Sequence, residues 1–375
     1  MATDPAIVRY WDYRTEYEAH RAEYLRAVDV VFSSGRLILG HQVATFEEQF
    51  AAYCSVLSVV GVNSCTDALF LALKALDVGP GDEVITVSNT AVPTVAAIRA
   101  TGALPVFVDV EEDTYLMDVA RVKEKLTGRT RCIVPVHLCG QMVDMQPLLK
   151  LAGQNNLSVV EDCAQACGAT DHGRQAGSLG DAGAFSFYPT KVLGTFGDGG
   201  AVAVSRPDLA VRLKRLRMYG MDSAYYAEEE GYNSRLDEVQ AAILNLRLPG
   251  MDAAVERRRR IARIYDDGLA GVAGIGLPAV REGRTHQYYL YTIRSERRDE
   301  LMNYLAEQGI ESKINYPWPI HLMRGYAFLG CGEGDLPVTE RLARTILSLP
   351  MYPELPEDHA RRVVDAIRQF FRNSR

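Results

Sequence analysis

Between Leu57 and Val204 short apolar runs of strand length alternate with helical stretches, and this pattern limits the folds open to the chain more than any other feature. The runs are Leu57 to Val62, Glu83 to Val87, Pro105 to Val108, Arg131 to Val136, Leu157 to Glu161, Gly183 to Phe187 and Gly200 to Val204, with helices at 66 to 77 and 92 to 101 between the earlier ones. Such alternation predicts the α/β class, with a mostly parallel seven-stranded sheet wrapped by helices. Gly79-Pro80-Gly81-Asp82 marks one clear turn from helix to strand. Two further helices, 14 to 33 (ending near Gly35) and 43 to 53, lead into this unit. Beyond it, a helical stretch from Leu236 to Leu269 carries Pro249-Gly250 in its middle, which suits a hinge. The expected division is a large domain over 1–249 and a small C-terminal α/β domain over 250–375. The small domain holds a strand at Gln287 to Arg294, a helix at 297 to 308, a strand near Glu311 to Ile314, and helices from Pro337 and Pro356.

Composition excludes several classes of function. The 375 residues are 47% hydrophobic, which is ample for a core. A net charge of −7 and a single dense basic run, Arg257 to Arg260, within a helical stretch argue against nucleic-acid binding, which needs a basic face. Met1 to Tyr10 lacks a charged-then-apolar leader, and no window reaches the roughly 18 apolar residues of a membrane span, so a cytoplasmic protein is expected. The seven cysteines, at 54, 65, 132, 139, 163, 167 and 331, form no C-x-x-C pair and read as reduced thiols. Cys163 and Cys167 with His137 or His172 match no zinc spacing, so no metal is expected.

Chemistry is advertised at one nitrogen. Lys191 lies inside Ala184-Phe185-Ser186-Phe187-Tyr188-Pro189-Thr190-Lys191-Val192-Leu193-Gly194, just before Gly197-Asp198-Gly199-Gly200. A lysine in such an apolar, tightly turned segment is costly to desolvate unless its amine does covalent or acid/base work. Upstream, Leu157 to Gln165 reads as a buried strand ending in Asp162, where open α/β sheets place ligand contacts. Lysine plus strand-end aspartate is the pair a pyridoxal phosphate site requires: the amine holds the cofactor as a Schiff base, and the carboxylate keeps the pyridine nitrogen protonated.

Other residues gain meaning from that pair. Asn63-Ser64-Cys65-Thr66-Asp67-Ala68-Leu69 places small polar residues before a helix, which is either simple capping by Ser64 or Thr66 or a cradle for the cofactor phosphate. Next to Lys191 and Asp162, the cradle is the better account. Ser186, five residues before Lys191, can offer its hydroxyl to the same phosphate. Gln165 either reaches the ring hydroxyl or substrate, or is a buried glutamine satisfied by backbone. His137, after the strand 131 to 136, either touches the cofactor edge or caps the strand.

The chain resembles the DegT/DnrJ/EryC1/StrS family of sugar aminotransferases, pyridoxal-phosphate enzymes of the aspartate-aminotransferase fold (fold type I). The likeness runs from about residue 28 to the C-terminal region. It is carried by Ser34 to Gly40, Asn63 to Leu69, Gly79 to Val84, Val160 to Ala166, Ser186 to Lys191 and Tyr232-Asn233-Ser234-Arg235-Leu236-Asp237. It implies that Lys191 forms the Schiff base, Asp162 pairs with the pyridine nitrogen, and Ser186 with the Cys65-Thr66 backbone holds the phosphate. Asn233 is the position whose relatives reach the phosphate from the neighbouring subunit, which implies a homodimer with shared active sites. The implied cycle takes an amino group from glutamate, leaves pyridoxamine phosphate and 2-oxoglutarate, and passes the nitrogen to a nucleotide-linked keto-sugar, with Lys191 moving the protons.

Relatives acting at position 3 of nucleotide-linked (dTDP) 3-keto-6-deoxyhexoses resemble this chain in Thr90 to Ala97, His137 to Asp144, Gln165 and Tyr188-Pro189-Thr190, whereas those acting at position 4 often carry histidine where Gln165 stands. Position 3 is therefore expected. The alternatives are a ketone at position 4 and a keto-cyclitol. Tyr316-Pro317-Trp318-Pro319-Ile320-His321 resembles the family's segment near the sugar pocket, where His321 either contacts substrate or belongs to a rigid proline loop. Tyr188 and Tyr316 are further candidates for the pocket, and Tyr219 with the tyrosines 225 and 226 are candidates to line it from the partner chain. The chain departs from common family residues at Cys139, Cys167, Val192 and Ala91. A sugar dehydratase of the same fold replaces the lysine with histidine, which Lys191 argues against. A cofactor-binding regulator could keep the whole site without turnover, but no appended DNA-binding or signalling segment is seen.

Overall fold

The structure is a computed structural model and describes residues 7–372. Its centre is a seven-stranded sheet of β1 (Ser58–Val62), β2 (Glu83–Val87), β3 (Leu104–Val108), β4 (Thr130–Ile133), β5 (Ser158–Asp162), β6 (Ala182–Ser186) and β7 (Gly200–Val204), in the order β1-β7-β6-β5-β4-β2-β3. β7 pairs antiparallel with both β1 and β6, and the remaining pairs are parallel. Six strands thus share one direction. Their carboxyl ends form a single edge, and the start of β7 falls on that same edge.

Both faces of the sheet are covered, which explains why the strands read as unbroken apolar runs. On one face α3 (Cys65–Ala75), α4 (Val92–Ala100) and the helix Pro207–Leu216 bury Leu69, Leu73, Ile98, Leu209 and Leu213 against Val60, Val84 and Val202. On the other, α2 (His41–Cys54) sets Phe46 and Phe50 edge-on against Phe187, with Phe50 also on Phe185, and fixes the strand that leads to Lys191. α1 (Tyr13–Ser34) starts at Asp12, whose carboxylate caps the amides of Arg14 and Thr15, and stops at Gly35 in the left-handed region (φ +66°).

The long helical stretch is two helices, Glu238–Arg247 and Met251–Leu269, joined by a tight turn at Leu248–Gly250 because Pro249 cannot continue the ladder. The second of these packs with the helices Arg298–Glu307 and Glu357–Arg372 on the antiparallel pair Tyr291–Arg294 and Ile346–Leu349, and Val8 from the N-terminal arm joins that core.

Three expected strands are shortened for identifiable reasons. The run to Val136 ends its ladder at Ile133, just before Pro135, which lacks an N–H, although Val136 still bridges to Asp162. The run from Gln287 begins only at Tyr291, because the amides of Gln287 and Leu290 are spent on the carbonyls of Gly140 and Cys139. The strand near Glu311 to Ile314 is a single bridge, Lys313 to Ser348; the chain leaves it towards Pro317 and Pro319, which have no N–H to give. Among the described residues, no helix is long and apolar enough to cross a membrane.

Candidate active site

A cavity of about 340 Å³ opens at the shared edge of the sheet. It is large enough for a small cofactor and part of a substrate. Its walls come from the strand ends and the turns beside them: Ser64, Cys65 and Thr66 after β1, Thr90 and Thr94 after β2, Val136 after β4, Asp162 at the end of β5, Ser186 at the end of β6, and Gly199 just before β7. This is where open α/β sheets bind ligands.

Asp162 is almost wholly buried, yet among the described residues its carboxylate has no cationic hydrogen-bond partner. Oδ2 accepts from Thr94 Oγ1 at 2.8 Å and Oδ1 from the Ala164 amide at 3.1 Å. Thr94 spends its proton on Asp162 and therefore accepts from the Thr90 hydroxyl, 2.9 Å away. Burial pushes the Asp162 carboxyl above its usual range, against the pull of the Thr94 and Ala164 hydrogen bonds. A carboxylate held in such a place favours a positive group brought into the cavity, and a protonated ring nitrogen meets that requirement.

Across the cavity, the first turn of α3 presents the N–H groups of Cys65 and Thr66, which as first-turn amides have no intrahelical acceptor. Ser64 caps the helix by accepting from the Asp67 amide at 3.1 Å. Gly200 lets this turn press against β7, since a Cβ there would lie 2.3 Å from the Ser64 carbonyl carbon. Ser186 lines the same wall, its hydroxyl accepting a long 3.4 Å bond from the Tyr188 amide. An open helix N-terminus with a hydroxyl beside it that still has its proton to donate fits a phosphate.

Lys191 follows a turn closed by its own amide on the Tyr188 carbonyl at 2.8 Å. Its Nζ lies 4.3 Å from the centre of the Tyr289 ring, and the Tyr289 hydroxyl is 2.9 Å from Thr190 Oγ1. Gln165 Oε1 accepts from the Cys139 amide at 2.7 Å while Nε2 donates to the Tyr316 hydroxyl at 2.9 Å, so the glutamine bridges the floor of the cavity to a wall contributed from the C-terminal part. Burial raises the Tyr316 phenol well above its ordinary range, which keeps it a neutral donor.

Residues 18–368 match the DegT/DnrJ/EryC1/StrS aminotransferase family. The chain belongs to that family. It is 53% identical to a dTDP-3-amino-3,4,6-trideoxy-alpha-D-glucose transaminase of Micromonospora megalomicea subsp. nigra, over 96% of this chain and 97% of that protein. A Streptomyces venezuelae protein of the same name is 47% identical, over 97% and 96% of the two chains. Among solved structures, S. venezuelae DesV in complex with a ketimine intermediate superposes with a TM-score of 0.96 at 47% identity, covering 97% of this chain and 98% of that one. The chain is an aminotransferase of fold type I, as the family resemblance implies, and its mostly parallel sheet is the one that the alternating strands predict.

In this aminotransferase the structure gathers Ser64, Cys65, Thr66, Asp162, Gln165, Ser186, Tyr188, Lys191 and Tyr316 around one cavity. Six other expected site residues lie outside this cavity. His137 is fully buried, with Nε2 2.9 Å from Glu161 and Nδ1 accepting from the Val143 amide at 3.1 Å; with both nitrogens engaged, it props the β4 and β5 ends and does not line the cavity. His321 is likewise enclosed, between Ser88 Oγ at 2.8 Å and Glu340 at 3.2 Å, so it pins the proline loop to the β2 end and does not line the cavity. Asn233, Tyr219 and the tyrosines 225 and 226 lie on the surface of the protomer, outside its own cavity.

His137, Glu161 and Cys163 bring three potential metal-ligand atoms within 4.8 Å of one another. Glu161 is already saturated, accepting from His137 and from the amides of Gly177, Leu179 and Gly180. His137 and Glu161 form a hydrogen-bonded brace with the Cys163 thiol packed beside it. Two residues of the cavity wall were not singled out from the sequence: Thr94, seen only as part of the Thr90 to Ala97 run, and Tyr289, which reads as one tyrosine in a run of three, Tyr288 to Tyr291 with Leu290 between.

Proposed function

We propose that this chain transfers an amino group from glutamate to carbon 3 of a dTDP-linked 3-keto-6-deoxyhexose. The observation that carries this is the convergence of Lys191, Asp162 and the open α3 terminus on one cavity, in a chain whose relatives at 53% and 47% identity are named for 3-amino sugar nucleotides. Gln165, where relatives acting at position 4 often carry histidine, favours the same position.

Pyridoxal phosphate bound here supplies the electron sink that makes the proton next to nitrogen labile. Asp162 would hold the ring nitrogen protonated, with Thr94 fixing the carboxylate's orientation. Cys65 and Thr66 amides with Ser186 would bind the phosphate. Lys191 Nζ is both anchor and proton carrier: it takes the proton from the α carbon of the donor and later delivers one at carbon 3 of the sugar, and holding it in the same cavity makes both transfers effectively intramolecular.

The working unit in this proposal is a homodimer. α1 and the segment after it expose Leu25, Val30, Phe32, Leu37 and Ile38, an apolar surface suited to a second copy. Asn233 of the partner subunit would then complete the phosphate site, consistent with its surface position in the single protomer. Seven unpaired cysteines suit a reducing, cytoplasmic setting.

The test is a half-reaction. Glutamate should bleach the visible band of the cofactor-loaded protein, and a dTDP-3-keto-6-deoxyhexose should restore it. Restoration by the 4-keto isomer alone overturns the assignment of carbon 3, and a band indifferent to every amino acid overturns the reading as a whole.

A further inference from the structure

We propose that Tyr289 is the seat for the Lys191 amine whenever that amine is not joined to the cofactor, so that it fixes where the proton carrier waits between the two halves of the reaction. The inference rests on the reading of Lys191 as that carrier.

The geometry is specific. Lys191 Nζ stands 4.3 Å from the Tyr289 ring centre, a distance at which the negative face of the ring attracts an ammonium. The ring cannot swing away freely, because its hydroxyl is 2.9 Å from Thr190 Oγ1, on the residue directly before the lysine. Lysine and ring are therefore tied to the same turn. The Tyr289 backbone is held from behind by Arg258, a fully buried guanidinium whose Nη1 donates to the carbonyls of Tyr288 and Met351 at 3.0 Å each and, at 3.4 Å, to that of Tyr289 itself. On either side, the Gln287 and Leu290 amides donate to Gly140 and Cys139. This pinning is also what shortens the strand that ends at Arg294.

A ring face suits the task better than a carboxylate. The freed amine sits on a four-carbon stem with many rotamers, and without a partner it spreads over all of them. A buried carboxylate would hold the ammonium so firmly that releasing it as a base would be slow. A ring attracts the charged form weakly, has no lone pair to take its proton, and leaves the amine inside the cavity. Tyr289 is in this sense a positioning residue, acting through Lys191.

Two substitutions separate the ring face from the hydroxyl. Tyr289→Phe keeps the face and loses only the Thr190 bond, whereas Tyr289→Leu loses both. In the cofactor-free protein, with lysines reductively dimethylated by 13C-formaldehyde and a borane reductant and the Lys191 signal identified through Lys191→Arg, that signal should lie upfield from ring-current shielding in wild type and Tyr289→Phe, and lose the shift in Tyr289→Leu. In the glutamate half-reaction, Tyr289→Leu should lower the limiting rate about 3- to 30-fold, or about 0.6 to 2 kcal/mol at about 1.4 kcal/mol per tenfold, with the glutamate KM unchanged. Tyr289→Phe should stay within about threefold of wild type. If Tyr289→Leu does not fold, Tyr289→Met is the second ringless variant. An unshifted Lys191 signal in wild type overturns the proposal, as does a rate that falls equally in the Phe and Leu variants or in neither. A wild-type protein that accepts no amino group overturns the reading beneath it as well, so the two failures are distinct.

Discussion

Gly200→Ala should cripple cofactor binding while Gly199→Ala, one residue away, should not. At position 200 a Cβ would lie 2.3 Å from the Ser64 carbonyl carbon, 2.5 Å from its oxygen and 2.6 Å from the Cys65 nitrogen. All three are backbone atoms, so no rotamer change relieves the contact. Reaching an ordinary separation of 3.4 Å from 2.3 Å requires a retreat of about 1.1 Å, and the group that retreats is the first turn of α3. An amide hydrogen bond to a charged phosphate oxygen contributes about 1.5 to 3 kcal/mol, and a displacement of that size removes at least one. The expected loss is about 10- to 150-fold in Kd. At position 199 the nearest atoms are side-chain carbons, Leu236 Cδ1 at 3.2 Å and Phe187 Cβ at 3.4 Å, which can yield by a few tenths of an ångström. That variant should stay within about threefold, since one such contact is worth a fraction of the about 1 to 3 kcal/mol that overpacking costs. The assay is titration of cofactor-free protein with pyridoxal phosphate, followed by the visible band, with thermal unfolding of both variants recorded beside it. Equal loss in both, or a destabilised Gly200→Ala protein with wild-type affinity, would refute the assignment of the α3 terminus as the phosphate cradle.

Thr94→Val removes a hydroxyl of similar volume and leaves an Asp162 oxygen without its donor; affinity for the cofactor should fall about 5- to 30-fold, from about 1 to 2 kcal/mol for one buried bond, and Thr94→Ser should recover most of it. Glu161 bears on pH. Burial alone would raise its carboxyl, but His137 and the Gly180 and Gly177 amides outweigh that and hold it below the usual range. A lowered folded-state value contributes stability that is present above the ordinary carboxylate range and lost as pH falls through the folded value, so urea midpoints should drop on acidification and Glu161→Gln should flatten that drop. Asp162, shifted upward, titrates with the opposite sign and remains in the variant. His321→Gln should lower Tm by breaking the Ser88 and Glu340 bonds, at about 1 to 3 kcal/mol, without raising KM for the sugar nucleotide; a KM effect at unchanged Tm would return His321 to the substrate.

The strands and their reactive ends were legible because both are local signals. An apolar run bounded by turn residues specifies β5 and β6, and a charge inside such a run, Asp162 or Lys191, is conspicuous because burial makes it costly. The histidines show the limit of that logic. His137 and His321 carry the right chemistry, but each is consumed by partners distant in sequence: Glu161, 24 residues away, for the first and Ser88, 233 residues away, for the second. Thr94 and Tyr289 failed in the converse way, since neither residue type is unusual where it stands. Thr94 matters because α4 brings it to a carboxylate 68 residues on, and Tyr289 because its hydroxyl meets a threonine 99 residues back. A polar side chain is therefore functional or structural according to whether folding leaves one of its bonding positions facing the cavity. Asp162, with both oxygens bonded to neutral donors and its carboxylate lining the cavity, passes that test, while His137, with both nitrogens engaged and no face on the cavity, does not.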